Sequence, residues 1–173
     1  MWIESRVGAM AMMVVMFGSV IGAEAQQCRR VPLPANILLL HDIEEDVQVI
    51  YDRSPSFRAQ CDRIAEAEHL RVTVRIDPAI PSRSRAFTIL QRRGRDLSAE
   101  VHLPPSADHS ELLAHEFEHI LEHVEGLDLR TLSRVKQSGV YELEFAVFET
   151  ERAKAAGLTV KAETRLSNSP AAD

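Results

Sequence analysis

The residue pattern H-E-x-x-H, from His115 to His119 with Glu116 second, could bind a metal ion and hydrolyse a substrate. If the segment is helical, the four-residue spacing puts both histidines on one face, one turn apart, so that their imidazoles reach one ion. Neutral imidazoles suit Zn²⁺ and leave room for a third protein ligand and a water molecule. Glu116 lies beside the same ion and can accept the proton of that water. The pattern therefore predicts zinc-dependent hydrolysis.

A helix is the expected setting of this motif, because apolar residues recur at three- and four-residue intervals from Leu112 to Val124. Asp108 and Glu111 resemble a capping box at its start, and a glycine at position 126 favours a stop. The alternative is that the three residues share this spacing by chance on a solvated helix. His123 lies about 12 Å along the axis from the first histidine, too far to share the ion, and is expected to support a ligand or to lie at the surface.

A second long helix is predicted over residues 140–157, ending at a glycine, and its carboxylates could supply the third ligand. A helical wheel places Glu142 and Glu149 on a stripe of small and apolar residues. A carboxylate on an inward stripe needs a cation or hydrogen-bond donors to offset its desolvation. Glu149 is therefore the expected third zinc ligand, with Glu142 as the alternative or as a group that holds a histidine ring. Glu149 could instead pair only with an arginine such as Arg152 or Arg134.

The segments before the metal helix predict the rest of the core. Ser54 and Pro55 are typical of a helix start, and this helix is expected to end near residue 69. Residues 70–76 alternate apolar and polar side chains as a half-buried strand does, and residues 85–91 and 97–103 are further strand candidates joined by a loop with Gly94. Residues 37–40 fit either a strand or a helix start. The sequence predicts an α+β fold in which a small antiparallel sheet packs against the metal helix and a C-terminal glutamate-bearing helix.

Charge and composition indicate an ordinary globular chain of 173 residues, and the net charge of −6 argues against general nucleic-acid binding. Seven arginines nevertheless lie between Arg71 and Arg95. They suggest an anionic ligand, although outward positions on a solvated sheet account for several of them. Because aromatic residues do not alternate with these arginines, no nucleic-acid partner is predicted.

The N-terminus has the features of a secretory signal, because an apolar run over residues 9–22 follows Arg6 and precedes the small-x-small site Ala23-Glu24-Ala25. Residues 1–25 are expected to be removed on export to the periplasm or the extracellular space, leaving no stable membrane span; the alternative is an uncleaved anchor. The mature chain would then keep two cysteines, Cys28 and Cys61, which favours one disulfide over two buried thiols.

Three further regions complete the expected organisation of the chain. Residues 26–53 are expected to form an N-terminal arm with an acidic segment, residues 54–165 the metal-binding domain, and residues 166–173 a flexible tail.

On these residues the sequence resembles the gluzincin branch of the zincin metallopeptidases, in which a glutamate from a later helix completes an H-E-x-x-H site. It is also similar to small exported, minigluzincin-like bacterial proteins of unassigned role. His115, Glu116 and His119 match the motif residue for residue, whereas Glu149 matches by order and helical context.

The resemblance implies one Zn²⁺ ion, a peptide or protein substrate, and an extended substrate on an edge strand, for which residues 97–103 are the candidate. It also implies an oxyanion-stabilising side chain, for which Tyr141, His109 and His102 are candidates, and Tyr141 could alternatively support a ligand. The competing expectation is a zinc-stabilised binding module of the cell envelope without turnover. A fourth protein ligand such as His123 or Glu142 would favour that module.

Overall fold

The computed structural model describes residues 32–40, 43–105, 108–144 and 146–167. Its elements, in chain order, are β1 (Ile37–Leu39), α1 (Glu44–Arg53), α2 (Pro55–Glu66), β2 (Leu70–Ile76), β3 (Phe87–Arg93), β4 (Asp96–Leu103), α3 (Ser110–Val124), α4 (Leu129–Leu132), β5 (Val140–Glu144), β6 (Val147–Thr150) and α5 (Glu151–Leu166). The α+β class expected from the sequence is confirmed. Among these described residues, no helix is both long enough and apolar enough to cross a bilayer.

The main sheet is mixed, so the expectation of an antiparallel sheet is wrong for two of its three strand pairs. Its order is β1-β2-β4-β3, with β1 and β4 parallel to β2 and only β3 antiparallel to β4. The hairpin of β3 and β4 is the part that the short loop at Gly94, with its φ of +63°, could predict. The parallel pairing of β2 with β4 depends on tertiary packing, which alternation along a single strand does not reveal.

Strand β4 lies in the middle of the sheet, which corrects the expectation that residues 97–103 form an edge. It inserts between β2 and β3, and its inward side chains Leu97, Ala99, Val101 and Leu103 are all buried. Strand β3 is the edge on that side, and its side chains are exposed or half-buried throughout. The alternation of β4, with every inward side chain buried, is therefore that of a central strand with one covered face.

One face of the sheet packs against the helices and forms a single core. Val72 and Val101 from the sheet join Phe117 from α3 and Ile64 from α2 in one buried cluster. The ring of Phe117 stacks on Phe57 of α2, with ring centroids 5.3 Å apart. This packing fixes α3 against the sheet. It therefore also fixes the direction in which the histidine-bearing face of the helix points.

The segment expected to be an arm, residues 26–53, is part of this core from residue 37 onwards. Ile37 of β1 and Val47 and Ile50 of α1 belong to the same buried cluster as the sheet and α3. The reason is that the apolar run at residues 37–39 pairs with β2, and the acidic side chains of α1 lie in its first turn, while its apolar side chains face inward. No boundary separates this segment from the domain at residue 53.

The predicted start of α2 and the alternation of β2 and β4 are confirmed, whereas the strand predicted over residues 85–91 begins and ends two residues later, at Phe87–Arg93. Helix α2 begins at Pro55 with Ser54 as its cap, whose hydroxyl accepts the backbone N–H of Phe57. Strands β2 and β4 follow the predicted alternation. Helix α3 covers the whole motif. The predicted capping box is wrong, because the N-cap residue is His109, the Asp108 carboxylate accepts the backbone N–H of Ser110, and Glu111 pairs with Lys161.

The second helix predicted over residues 140–157 is wrong in its first half. Residues 140–150 form the β5/β6 hairpin instead, and the helix begins only at Glu151. Two signals explain the difference: Val, Tyr, Phe and Thr favour strands, and Thr150 caps α5 by accepting the backbone N–H of Ala153. Both glutamates that the helical wheel selected, Glu142 and Glu149, therefore lie in the hairpin.

Gly157 does not stop this helix, because α5 continues through it to Leu166. It lies where α5 crosses α3, and a Cβ atom at this position would be 2.7 Å from the backbone oxygen of Glu111 and 3.4 Å from the Cβ of His115. The missing side chain lets the two helices approach beside the first motif histidine. A glycine inside a helix thus marks close packing here rather than a terminus.

Three expectations depend on residues outside the described ranges. The signal sequence, residues 1–25, lies there entirely, as do Cys28 and residues 168–173 of the expected tail. Cys61 is a free, fully buried thiol of α2, and burial together with the charge of Asp62 raises its pKa to about 12. The bridge between Cys28 and Cys61 therefore stays a prediction.

Candidate metal centre

The structure brings His115, His119 and Glu149 together, with one ligand atom of each converging on a common point. The two histidine Nε2 atoms are 3.2 Å apart, and the Oε1 atom of Glu149 lies 3.4 Å from His115 and 3.7 Å from His119. In a tetrahedral zinc site with bonds of 2.0–2.1 Å, neighbouring ligand atoms are about 3.3 Å apart. The two nitrogens and one oxygen therefore fit Zn²⁺ in both type and spacing.

Glu149 reaches the histidines from a strand end rather than from a helix. It is the penultimate residue of β6, and its side chain is only 4% exposed. The next residue, Thr150, caps α5, which packs along α3. The backbone N–H of Thr150 also donates to Glu149 Oε1 over 2.9 Å. The start of α5 thus fixes where this carboxylate lies.

Arg85 holds the second oxygen of Glu149, with its Nη1 2.8 Å from Oε2. The pairing expected with Arg152 or Arg134 is not the one that forms, since Arg152 instead binds Glu118 and Glu125 on α3. Because Arg85 contacts Oε2, the other oxygen remains directed at the histidines. Glu149 can therefore pair with Arg85 through Oε2 and still offer Oε1 to a metal ion.

Glu122 is a buried carboxylate that orients the site and that sequence reasoning missed. Its Oε2 accepts from His119 Nδ1 over 2.9 Å, and its Oε1 accepts the hydroxyl of Thr150 over 2.7 Å. When Nδ1 carries the proton, Nε2 has a free lone pair for a metal. The available signal was spacing, because a glutamate three residues after His119 lies on the same helical face.

Glu116 points to the neighbouring strand, where its Oε2 accepts the hydroxyl of Thr88 over 2.7 Å. Burial raises the pKa of this carboxyl above its ordinary value, although the Thr88 hydrogen bond and the charge of His119 oppose that shift. A raised pKa makes the ionised carboxylate a stronger base. Thr88 could not be singled out from the sequence, because strand β3 reaches α3 only in the folded chain.

The two histidines differ electrostatically but share access to solvent. Burial lowers the pKa of His115, whereas for His119 the hydrogen bond to Glu122 and nearby carboxylates outweigh burial and raise it. Their side chains are 19% and 16% exposed, so water reaches both imidazoles. Three potential protein ligands with access for solvent would leave an open position for water on a bound zinc ion, which a catalytic zinc centre requires.

The other residues proposed around the metal lie elsewhere or remain beside it without contact. Glu142 is exposed, and its Oε1 accepts the backbone N–H of Ala146 at the hairpin turn. His123 is exposed at the end of α3. Neither belongs to the group of three ligands. Tyr141 is the cross-strand neighbour of Glu149 and about half exposed, with the ammonium of Lys154 5.0 Å from its ring centre.

The two remaining histidine candidates have partners of their own. His109 is buried, with Nδ1 2.7 Å from Asp46 and Nε2 3.0 Å from the carbonyl oxygen of Pro104. His102 lies on the outer face of the sheet, with Nδ1 2.9 Å from Asp77 and its ring stacked on Phe87. Both imidazoles therefore bind carboxylates outside the group of three metal ligands.

Comparison of the chain with protein-family models, with curated proteins and with solved structures gave no match.

Proposed function

We propose that the protein is an exported zinc-dependent metallopeptidase that binds one Zn²⁺ ion through His115, His119 and Glu149. The observation that carries the proposal is the convergence of these three ligand atoms at 3.2–3.7 Å from one another. It involves the H-E-x-x-H motif and a glutamate further along the chain, which is the arrangement that gluzincins share. Export, for which residues 1–25 argue, belongs to the same proposal.

Zinc in such a site polarises a carbonyl group and lowers the pKa of a bound water toward neutrality. Glu116 is the proposed base, taking a proton from the attacking water and later giving it to the leaving amine. Its Oε2 atom is held by Thr88, which leaves Oε1 for the proton. Glu122 keeps the proton of His119 on Nδ1, and Arg85 keeps Glu149 Oε1 turned inward.

The open edge of β3 supports a peptide as the substrate. This strand carries Thr88, and only one of its two edges pairs with another strand in the described sheet. A peptide in extended form can hydrogen-bond to such an edge. It would then pass directly beside Glu116 and the proposed ion.

The test is to compare the parent with Glu116→Gln for zinc content and for cleavage of a peptide library. We expect about one equivalent of zinc in both proteins, and at least about a hundredfold lower cleavage rate in the variant, the scale of general-base catalysis. Glu111→Gln is a matched control, since Glu111 lies on the same helix but pairs with Lys161. A Glu116→Gln variant as active as the parent would reject the assigned base, and zinc binding without any cleavage by the parent would favour a binding module.

A further inference from the structure

Helix α3 and strand β3, an edge strand of the described sheet, face each other from the metal centre onward. At one end, Thr88 of β3 binds Glu116 of α3. At the other end, Arg92 of β3 lies close to His123 of α3, and its charge adds to burial in lowering the pKa of this histidine. Arg92 is four residues after Thr88, a distance of about 13 Å along the strand.

The end of β3 away from the metal centre and the turn that follows it carry three arginines, Arg92, Arg93 and Arg95, which we call the arginine end. All three are exposed. Gly94, with a φ of +63°, lies in the tight turn between β3 and β4. Arg92 and Arg93 precede this glycine, and Arg95 follows it. Three positive charges beside one turn stand out in a chain whose net charge is −6.

The arginine end lacks the carboxylate partners that the exposed residues Arg85 and Arg165 have. Within the described part of the chain, no carboxylate lies within 4.0 Å of Arg92, Arg93 or Arg95. The nearest candidate by strand pairing, Asp96, instead has its Oδ1 3.3 Å from His69 Nδ1. Clustered cations without partners attract an anionic group, and adjacent low-dielectric walls strengthen that attraction.

We propose that the arginine end is a subsite for an acidic side chain of the substrate, so that the enzyme prefers acidic peptides. A peptide paired with the edge of β3, with its scissile bond at the metal centre, would place its fourth or fifth residue from that bond beside Arg92 and His123. An aspartate or glutamate at this position lies beside the positive charge of Arg92, and Arg93 and Arg95 follow within three residues along the chain. The inference rests on the proposed function and adds its substrate class.

Cleavage-site sequencing with a diverse peptide library tests this preference. We expect acidic residues to be enriched at the fourth or fifth position on one side of the scissile bond. Arg92→Gln and Arg93→Gln should each lower kcat/KM for such peptides about two- to fivefold at low ionic strength, the range of single exposed ion pairs. Arg71→Gln is the matched control, because Arg71 is exposed on the central strand β2. Cleavage without acidic enrichment, or an equal effect of Arg71→Gln, would overturn the proposal.

A binding measurement separates failure of the subsite from failure of the proposed function. Zinc-loaded Glu116→Gln is titrated into two fluorescein-labelled ten-residue peptides that differ only in four glutamates replaced by glutamines. Tighter binding of the acidic peptide, weakened by Arg92→Gln but not by Arg71→Gln, supports the subsite even if the parent cleaves nothing. Equal binding of both peptides rejects it even if the parent is an active peptidase.

Discussion

Glu122→Gln tests whether the metal site depends on the buried carboxylate behind it. Glu122 is 1% exposed and contacts both His119 Nδ1 and the hydroxyl of Thr150. Glutamine has nearly the same shape but no charge, and its single oxygen can accept only from one of these two partners in the present geometry. The variant therefore loosens either the ring of His119 or the start of α5, which positions Glu149.

The expected size of the effect follows from these contacts. Loss of an outer carboxylate that orients a histidine ligand typically weakens metal binding 10- to 100-fold, which is about 1.4–2.7 kcal/mol. We expect the upper part of this range, because the same carboxylate also positions the segment that bears the third ligand. Zinc affinity can be measured by competition with a chromophoric chelator, on protein first stripped of metal.

Glu118→Gln is the matched control, since Glu118 is another buried carboxylate of α3. It binds Gln60, Arg63 and Arg152 on the side of the helix away from the metal centre. This variant should lower the free energy of unfolding of the metal-free protein while leaving zinc affinity within about twofold. The reasoning fails if Glu122→Gln binds zinc as the parent does, or if Glu118→Gln weakens zinc binding to the same extent.

Two further predictions concern the packing and the charges of the same helices. Gly157→Ala should lower the free energy of unfolding by about 1–3 kcal/mol in urea titrations, because the contact with the backbone oxygen of Glu111 outweighs the gain in helix propensity; a more stable variant would contradict this. The hydrogen bond from Arg152, together with Arg63, holds the pKa of Glu125 at about 2, so this group contributes stability above about pH 4.5 that is lost as the pH falls toward 2. Because Glu125 is more than a third exposed, the loss should be about 1 kcal/mol or less in metal-free protein, and it should be absent in Glu125→Gln.

The parts of the fold that the sequence could predict are those with a strong local signal. Helix α3 has helical periodicity, α2 has Ser54 and Pro55 at its start, and β2 alternates strictly. The H-E-x-x-H spacing then places two imidazoles on one face whatever the surroundings. These features depend on residues fewer than five positions apart, which is why one sequence is sufficient to find them.

The third ligand shows where local signals were insufficient. The wheel that selected Glu149 assumed a helix, whereas the chain brings this residue to the histidines on a strand. Arg85, Thr88 and Thr150, which hold the carboxylates of the site, come from three different loops or strand positions. Nothing in their immediate neighbours marks them, because each gains its role only through contacts made in the folded chain.

Thr150 shows how closely the metal centre and the helix packing depend on one another. Its hydroxyl accepts the N–H of Ala153 to cap α5 and donates to Glu122, while its own N–H donates to Glu149. Glu122 in turn binds His119. Two of the three proposed ligands are therefore connected through one residue at the helix start. Since a metal that binds only the folded arrangement stabilises it by mass action, zinc would also stabilise the position of Thr150 at the start of α5, and a change that displaces Thr150 would weaken zinc binding.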